Sequence, residues 1–169
     1  MSEVVEKSLV LDSKQINQKI TRIAFEIYEN NFKEKTLVFA GIDGQGYNLA
    51  QLLAQEVEQI SEIKTAVVKV ILDKQSTQLG DVSIDISEKE LKKKVIILVD
   101  DVLNTGRTLA YGLKPFLQLE IKKLEVAVLV NRSHSLFPVL PTYTGYDLAT
   151  TLTDHVQVTL GKKASVYLL

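Results

Sequence analysis

Ile16, Ile20, Ile23 and Ile27 recur at spacings of four, three and four residues, which puts them on one face of a helix over residues 13–32. Asp12 or Ser13 can cap its start. Residues 37–42 (LVFAGI) form a short, almost unbroken apolar run, the pattern of a strand buried on both faces of a parallel sheet. Leu49, Leu52, Leu53 and Val57 then predict a helix over residues 47–60. A β-branched run at 66–72 predicts another strand, and the polar stretch 73–81, bounded by Gly80, an exposed loop. After an alternating segment at 82–86, the most apolar run of the chain, residues 95–99 (VIILV), reads as the central strand. A helix follows from Arg107, with Gly112 and Pro115 expected to weaken or kink it. Residues 124–130 read as a further buried strand, and 156–160 and 164–168 as two short ones.

This alternation implies βαβ units. The expected fold is therefore α/β, a mostly parallel central sheet flanked by helices. No linker, repeat or low-complexity tract divides the chain, so residues 1–169 read as a single domain. Ligands in such folds bind beyond the carboxyl ends of the strands, which directs attention to the residues after Ile42, Leu72, Val99 and Val130.

Composition narrows the chemistry. With 169 residues, 46% hydrophobic and 24% charged, the chain is an ordinary globular one, and its net charge of −1 argues against a surface-wide field for nucleic acid. There is no cysteine, hence no thiolate metal site, disulfide or cysteine nucleophile. The start, MSEVVEK, shows no signal peptide, and no apolar run approaches a membrane span, so a cytoplasmic location is expected.

The segment VIILVDDVLNTGRT carries the strongest chemical signal. Asp100 and Asp101, directly after five apolar residues, are costly there unless used. Paired carboxylates accept hydrogen bonds from vicinal hydroxyls or hold Mg²⁺. Asn104, Thr105, Gly106, Arg107 and Thr108 offer backbone N–H groups, two hydroxyls and a glycine at a helix start, which together make an anion cradle. Carboxylates beside such a cradle describe a ribose 5-phosphate site. Upstream, Gly44, Gln45 and Gly46 lie in a second glycine-rich loop, GIDGQG. The same string, with Asp73 at the next strand end, mimics a dinucleotide fingerprint, but Leu49 stands where its third glycine belongs.

This segment resembles the phosphoribosyl pyrophosphate motif of type I phosphoribosyltransferases. Residues 21–26 (TRIAFE), 127–134 (AVLVNRSH) and 142–150 (TYTGYDLAT) are further similar to one branch, the pyrimidine-operon attenuators that double as uracil phosphoribosyltransferases. The resemblance implies that Asp100 and Asp101 act at the ribose and its Mg²⁺, that 104–108 wraps the 5-phosphate, and that Gly44, Gln45 and Gly46 bind pyrophosphate. It implies a small hood over residues 131–150 in which Asn131 and Arg132 read the nucleobase, a mobile lid after Leu72, and a homodimer with contacts at residues such as Phe137 and Leu140. His134 could serve the base, and His155 reads as structural. The implied reaction transfers a phosphoribosyl group from phosphoribosyl pyrophosphate to a nucleobase, with uracil favoured. The branch has basic residues in the pyrophosphate loop, where this chain has Asp43 and Gln45. Purine-salvage relatives have an aspartate where this chain has Asn104, and an amide cannot act as a general base. The alternative is a regulator that senses phosphoribosyl pyrophosphate or a nucleotide and controls RNA without turnover. Phe25 replaces the branch's histidine, and lysines cluster only at 92–94 and around Lys122, so RNA is the less favoured partner.

Overall fold

The computed structural model describes residues 6–73 and 81–169. The isoleucine face behaves as its period predicts. Helix α1 (Ser13–Asn31) buries Ile16, Ile20, Ile23 and Ile27, and Asp12 caps it through a reciprocal capping box with Gln15, a device worth about 1 kcal/mol. The apolar runs form β2 (Thr36–Ile42), β3 (Lys64–Leu72), β5 (Val95–Leu103) and β6 (Lys123–Asn131). Helix α2 (Gln45–Ile60) joins β2 to β3, and α3 (Arg107–Leu117) joins β5 to β6.

With β4 (Val82–Ile84) and β7 (Tyr143–Asp147), these strands make a six-stranded sheet of order β4-β3-β2-β5-β6-β7. All its pairings are parallel except β3 with β4. One face packs against α1 and α2 through residues such as Phe39, Ile97 and Val99, the other against α3 through Ala40, Leu98 and Phe116. Strand β5 lies between β2 and β6, as the apolar run predicted. Helix α3 runs unbroken through Gly112 and Pro115. A Cβ on Gly112 would come within 2.9 Å of the Ile42 side chain, so the glycine lets the helix approach the sheet closely.

The hood differs from expectation. Residues 131–150 supply β7, a strand of the main sheet. The smaller sheet, of order β1-β9-β8, is built from β1 (Ser8–Leu11), β8 (Val156–Thr159) and β9 (Ser165–Leu168). Thr142 explains the correction: its N–H donates to the Val126 carbonyl and its hydroxyl accepts from the Val126 N–H, which leads the chain into register along β6.

Below the sheet, away from the strands' carboxyl ends, a buried polar cluster fixes α1 to β6 and β7. Tyr143 donates its hydroxyl proton to Glu125 at 2.7 Å, and Asn31 donates to the same carboxylate at 2.9 Å. Burial first, and this hydrogen bond second, push the Tyr143 phenol above its ordinary pKa. No helix among the described residues is long and apolar enough to cross a membrane.

Candidate functional site

The sheet divides at the carboxyl ends of β2 and β5. From β2 the chain crosses to β3 on one side, and from β5 to β6 on the other, so a crevice opens between them. The ladders show how. Strands β2 and β5 pair only as far as Gly41 with Val99, whereas β5 and β6 continue to Leu103 with Asn131. Asp100 and Asp101 thus lie inside β5, with a neighbour on one side and the crevice on the other. They were expected just past the strand end, but pairing with β6 extends the strand beneath them.

An open pocket of about 420 Å³ occupies this crevice. Asp43, Gly44 and Gln45 of the first loop line it together with Asp100 and Asp101 of β5 and with Asn104, Thr105, Gly106, Arg107 and Thr108 of the second loop and helix start. His155, Val156, Gln157 and Val158 of the smaller sheet form a wall. Its size suits a small-molecule site.

Both loops enter a helix through a glycine with positive φ. Gly44 (φ 100°) precedes α2 and Gly106 (φ 83°, left-handed) precedes α3; neither glycine can cap its helix with a side chain, although the Thr105 hydroxyl accepts the Arg107 N–H at 3.3 Å. First-turn N–H groups at such starts are donors for an anion. Gly46 plays a different part from its neighbours. A Cβ there would fall 2.8 Å from the Val99 carbonyl and 3.0 Å from Asp100 Oδ1, so it seats α2 against β5 rather than facing the pocket. The Asp101 N–H donates to Asp100 Oδ1 at 2.9 Å, which orients the acidic pair.

Asn131 and Arg132, expected to read a nucleobase, do not line the pocket. Arg132 is 8% exposed and acts as an internal clamp. Its Nη1 donates to Asn104 Oδ1 at 2.8 Å, Nε to Thr150 Oγ1 at 3.0 Å, and Nη2 to the carbonyls of Thr151 and Asp154. Asn131 donates to Asp147 and accepts from the Ser133 N–H. The physical reason is burial, since a guanidinium removed from water must be met by acceptors, and here the protein supplies them. His134 bonds through Nε2 to Thr150. His155, expected to be structural, lies on the pocket wall. Phe137 sits over the second loop: its N–H donates to the Thr105 carbonyl, and its ring meets Tyr111 edge-on. Of the expected lid in the loop 73–81, residues 74–80 lie outside the described residues.

Lys69, which the motifs gave no reason to single out, stands beside the first loop. Its Nζ lies 3.8 Å from Asp43 Oδ1 and 4.7 Å from the centre of the Tyr47 ring. The signal available in sequence was a single cation within the otherwise apolar run 66–72.

Comparison with known proteins agrees with this fold. The sequence profile of the phosphoribosyl transferase domain matches residues 8–160. The chain is 33% identical to the "Bifunctional protein PyrR" of Brevibacillus brevis, over 94% of this chain and 93% of that protein. It is 35% identical to the protein of the same name from Clostridium novyi, over 90% and 89%. Among solved structures, hypoxanthine-guanine phosphoribosyltransferase from Bacillus anthracis superposes with a TM-score of 0.69 at 18% identity, covering 86% of this chain and 85% of that one. Hypoxanthine phosphoribosyltransferase from Staphylococcus aureus gives 0.71 at 17%, covering 86% and 80%. At such identities these structures establish the shared fold.

Proposed function

Because the chain belongs to the phosphoribosyltransferase family, we propose that its crevice binds phosphoribosyl pyrophosphate and passes the phosphoribosyl group to a nucleobase, uracil first among them. Asp100 and Asp101 accept from the ribose hydroxyls. The loop of Asn104, Thr105, Gly106, Arg107 and Thr108 holds the 5-phosphate, and Gly44 and Gln45 face the pyrophosphate. The observation that carries this reading is the pocket's lining: two helix starts, each led by a positive-φ glycine, share one pocket with a carboxylate pair. A ribose with a phosphate on C5 and a pyrophosphate on C1 offers two anions and a diol to those three features.

The nucleobase enters against the wall of His155 and Val156. A ring nitrogen, giving up its N–H proton to the departing pyrophosphate or to water, forms a bond to C1 as the bond from C1 to the pyrophosphate oxygen breaks, and pyrophosphate departs with the electron pair. No side chain bonds covalently to the substrate, so catalysis is positioning and electrostatics. Among the described residues no group of three or more acidic or histidine side chains is arranged for a metal. The two adjacent carboxylates nevertheless suit Mg²⁺, which takes one or two protein carboxylates and completes its shell with waters and substrate oxygens. Asp100 and Asp101 would hold it, and it would neutralise charge on the departing pyrophosphate.

Two features favour a pyrimidine and an enzyme. Asn104 cannot act as a base, and its Oδ1 is already engaged by Arg132. Arg22, on the helix that would meet RNA, is committed to Glu26 and to the carbonyls of Thr144 and Gly145. That engagement argues against its holding RNA phosphates.

The test is pyrophosphate release from phosphoribosyl pyrophosphate and Mg²⁺ with uracil, hypoxanthine and guanine in turn. Turnover greatest with uracil is expected, and none with any base would sink the proposal. Asp101→Asn should weaken phosphoribosyl pyrophosphate binding by about 1–3 kcal/mol in calorimetry.

A further inference from the structure

The residues lining the pocket carry three carboxylates, Asp43, Asp100 and Asp101, against one permanent cation, Arg107. That arginine belongs to the second loop, and its guanidinium stands 5.8 Å from the Tyr111 ring centre. The first loop contributes Asp43, Gly44 and Gln45, with no cation of its own. A pyrophosphate carrying several negative charges would meet an acidic side chain there, and backbone N–H groups would have to compensate for it.

We infer that Lys69, one strand away on β3, supplies the positive charge for the pyrophosphate end of the pocket, with Asp43 as the counter-ion that keeps its ammonium at the rim. The inference rests on the site reading proposed above.

Side-chain alternation places the lysine. Val68 and Val70 point into the core beneath α3, so Lys69 between them emerges on the opposite face, beside the start of α2. It pairs in the sheet with Gly41, just before β2 gives way to the loop. The loop cannot drift from it, because the Asp43 N–H donates to the Val70 carbonyl at 2.9 Å. The lysine's own backbone is fixed from its other side. Its N–H donates to Asp85 Oδ1 at 2.7 Å, and its carbonyl accepts the Asp85 N–H. Its ammonium stands over the Tyr47 ring, 4.7 Å from the ring centre, which holds the charge beside the first turn of α2.

The ion pair itself is loose. At 3.8 Å, with 36% of the Lys69 side chain and 54% of the Asp43 side chain exposed, it is of the kind that contributes little stability and opens at little cost. A flexible four-carbon stem then lets the ammonium turn from Asp43 to a phosphate oxygen without backbone movement. Were the Lys69 ammonium only a partner for the Tyr47 ring and Asp43, replacing it with methionine would leave every ligand's affinity alone.

The experiment uses the full chain with Mg²⁺ and two probes, inorganic pyrophosphate and uridine 5′-monophosphate, with circular dichroism to confirm folding. Lys69→Met should lower pyrophosphate affinity about tenfold, the scale of one charge-assisted contact. The KM for phosphoribosyl pyrophosphate should rise in step, while uridine 5′-monophosphate binds as before. Lys69→Arg should keep most of the affinity, and Gln45→Arg added to Lys69→Met should recover it by restoring a cation from within the loop. Equal pyrophosphate binding by the unaltered protein and Lys69→Met overturns the assignment, as does equal weakening of both ligands. If the unaltered protein binds neither ligand, the site reading itself fails and the assignment goes with it.

Discussion

Gly44 and Gly106 each lead one of the pocket's two loops into a helix through a positive φ, yet what lies behind each differs. The Thr105 carbonyl accepts two N–H groups, from Leu136 and Phe137, and Arg132 holds the Asn104 side chain while its own N–H donates to the Leu103 carbonyl. A Cβ on Gly106 would already lie 3.3 Å from the Phe137 carbonyl. The loop before α2 is anchored at its ends, through Asp43 to β3 and through Asn48 to the Gly44 carbonyl, and a Cβ on Gly44 would meet nothing within 4 Å. One loop is therefore shaped before any ligand arrives. The other is open, with its charge borrowed from the neighbouring strand. A preformed loop loses less conformational freedom on binding, so the two ends should contribute differently to affinity and respond differently to mutation.

Arg132→Met should have the largest effect. It strips hydrogen bonds from Asn104, Thr150, Thr151 and Asp154 at a buried centre. A loss of about 2–4 kcal/mol in urea denaturation is expected from several acceptors left unmet. Uridine 5′-monophosphate should bind more weakly, while pyrophosphate binding should change little. Equal weakening of both ligands would mean that the loops are not independent.

The two glycines come next. Gly44→Ala forces an alanine to φ 100°, ψ −135°, at a strain of about 1–3 kcal/mol. Gly106→Ala meets a left-handed position, costing about 1–2 kcal/mol, with the Phe137 carbonyl close by. In calorimetry the first should impair pyrophosphate selectively and the second the nucleotide. The reverse pattern would exchange the two loops' assignments.

The smallest effect concerns acid. Asp154 accepts the Thr151 N–H in the turn that Arg132 grips, and that hydrogen bond, more than the nearby Arg132 and His134, holds its carboxyl below the usual range. A lowered folded value means that the ionised form favours the fold. The contribution is present above the ordinary aspartate pKa of about 4 and is lost as pH falls through the lower folded value. Asp154→Asn should slightly flatten the fall of stability below that pH, measured by denaturation across pH. The loop at Gly44 should show no matching change in pyrophosphate affinity.

The legible parts of this molecule are those that local pattern encodes. The isoleucine period drew α1 to within a residue of its end, and the apolar runs located β2, β3, β5 and β6. The contiguous motif from Asp100 to Thr108 brought its residues to one pocket because strand, turn and helix are sequential there. What escaped depends on distant partners. Strand β1 is only four residues long with two of them exposed, and its pairing with β9 makes it a strand. Strand β7 carries Gly145, where a Cβ would strike the Leu129 carbonyl at 2.6 Å, a requirement visible only once β6 lies alongside. Arg132 looked like a base contact because it follows a strand end. Its acceptors, from Asn104 to Asp154, come from both sides of it in the chain and close around it only in the fold.

The pairing of β1 with β9 also sets an order of assembly. Ser8 meets Leu168 and Leu9 meets Tyr167, so the smaller sheet joins residues separated by almost the whole chain. During synthesis the main sheet has all its strands once β7 has emerged, and helices and neighbouring strands can already pack. Strand β1 must wait, unpartnered, until β9 leaves the ribosome. The wall at His155 and Val156 is steadied by that last event, since His155 and Leu169 exchange both backbone hydrogen bonds. A nascent chain that has made the acidic pair and both glycine loops thus still lacks this wall of its pocket until β9 is in place.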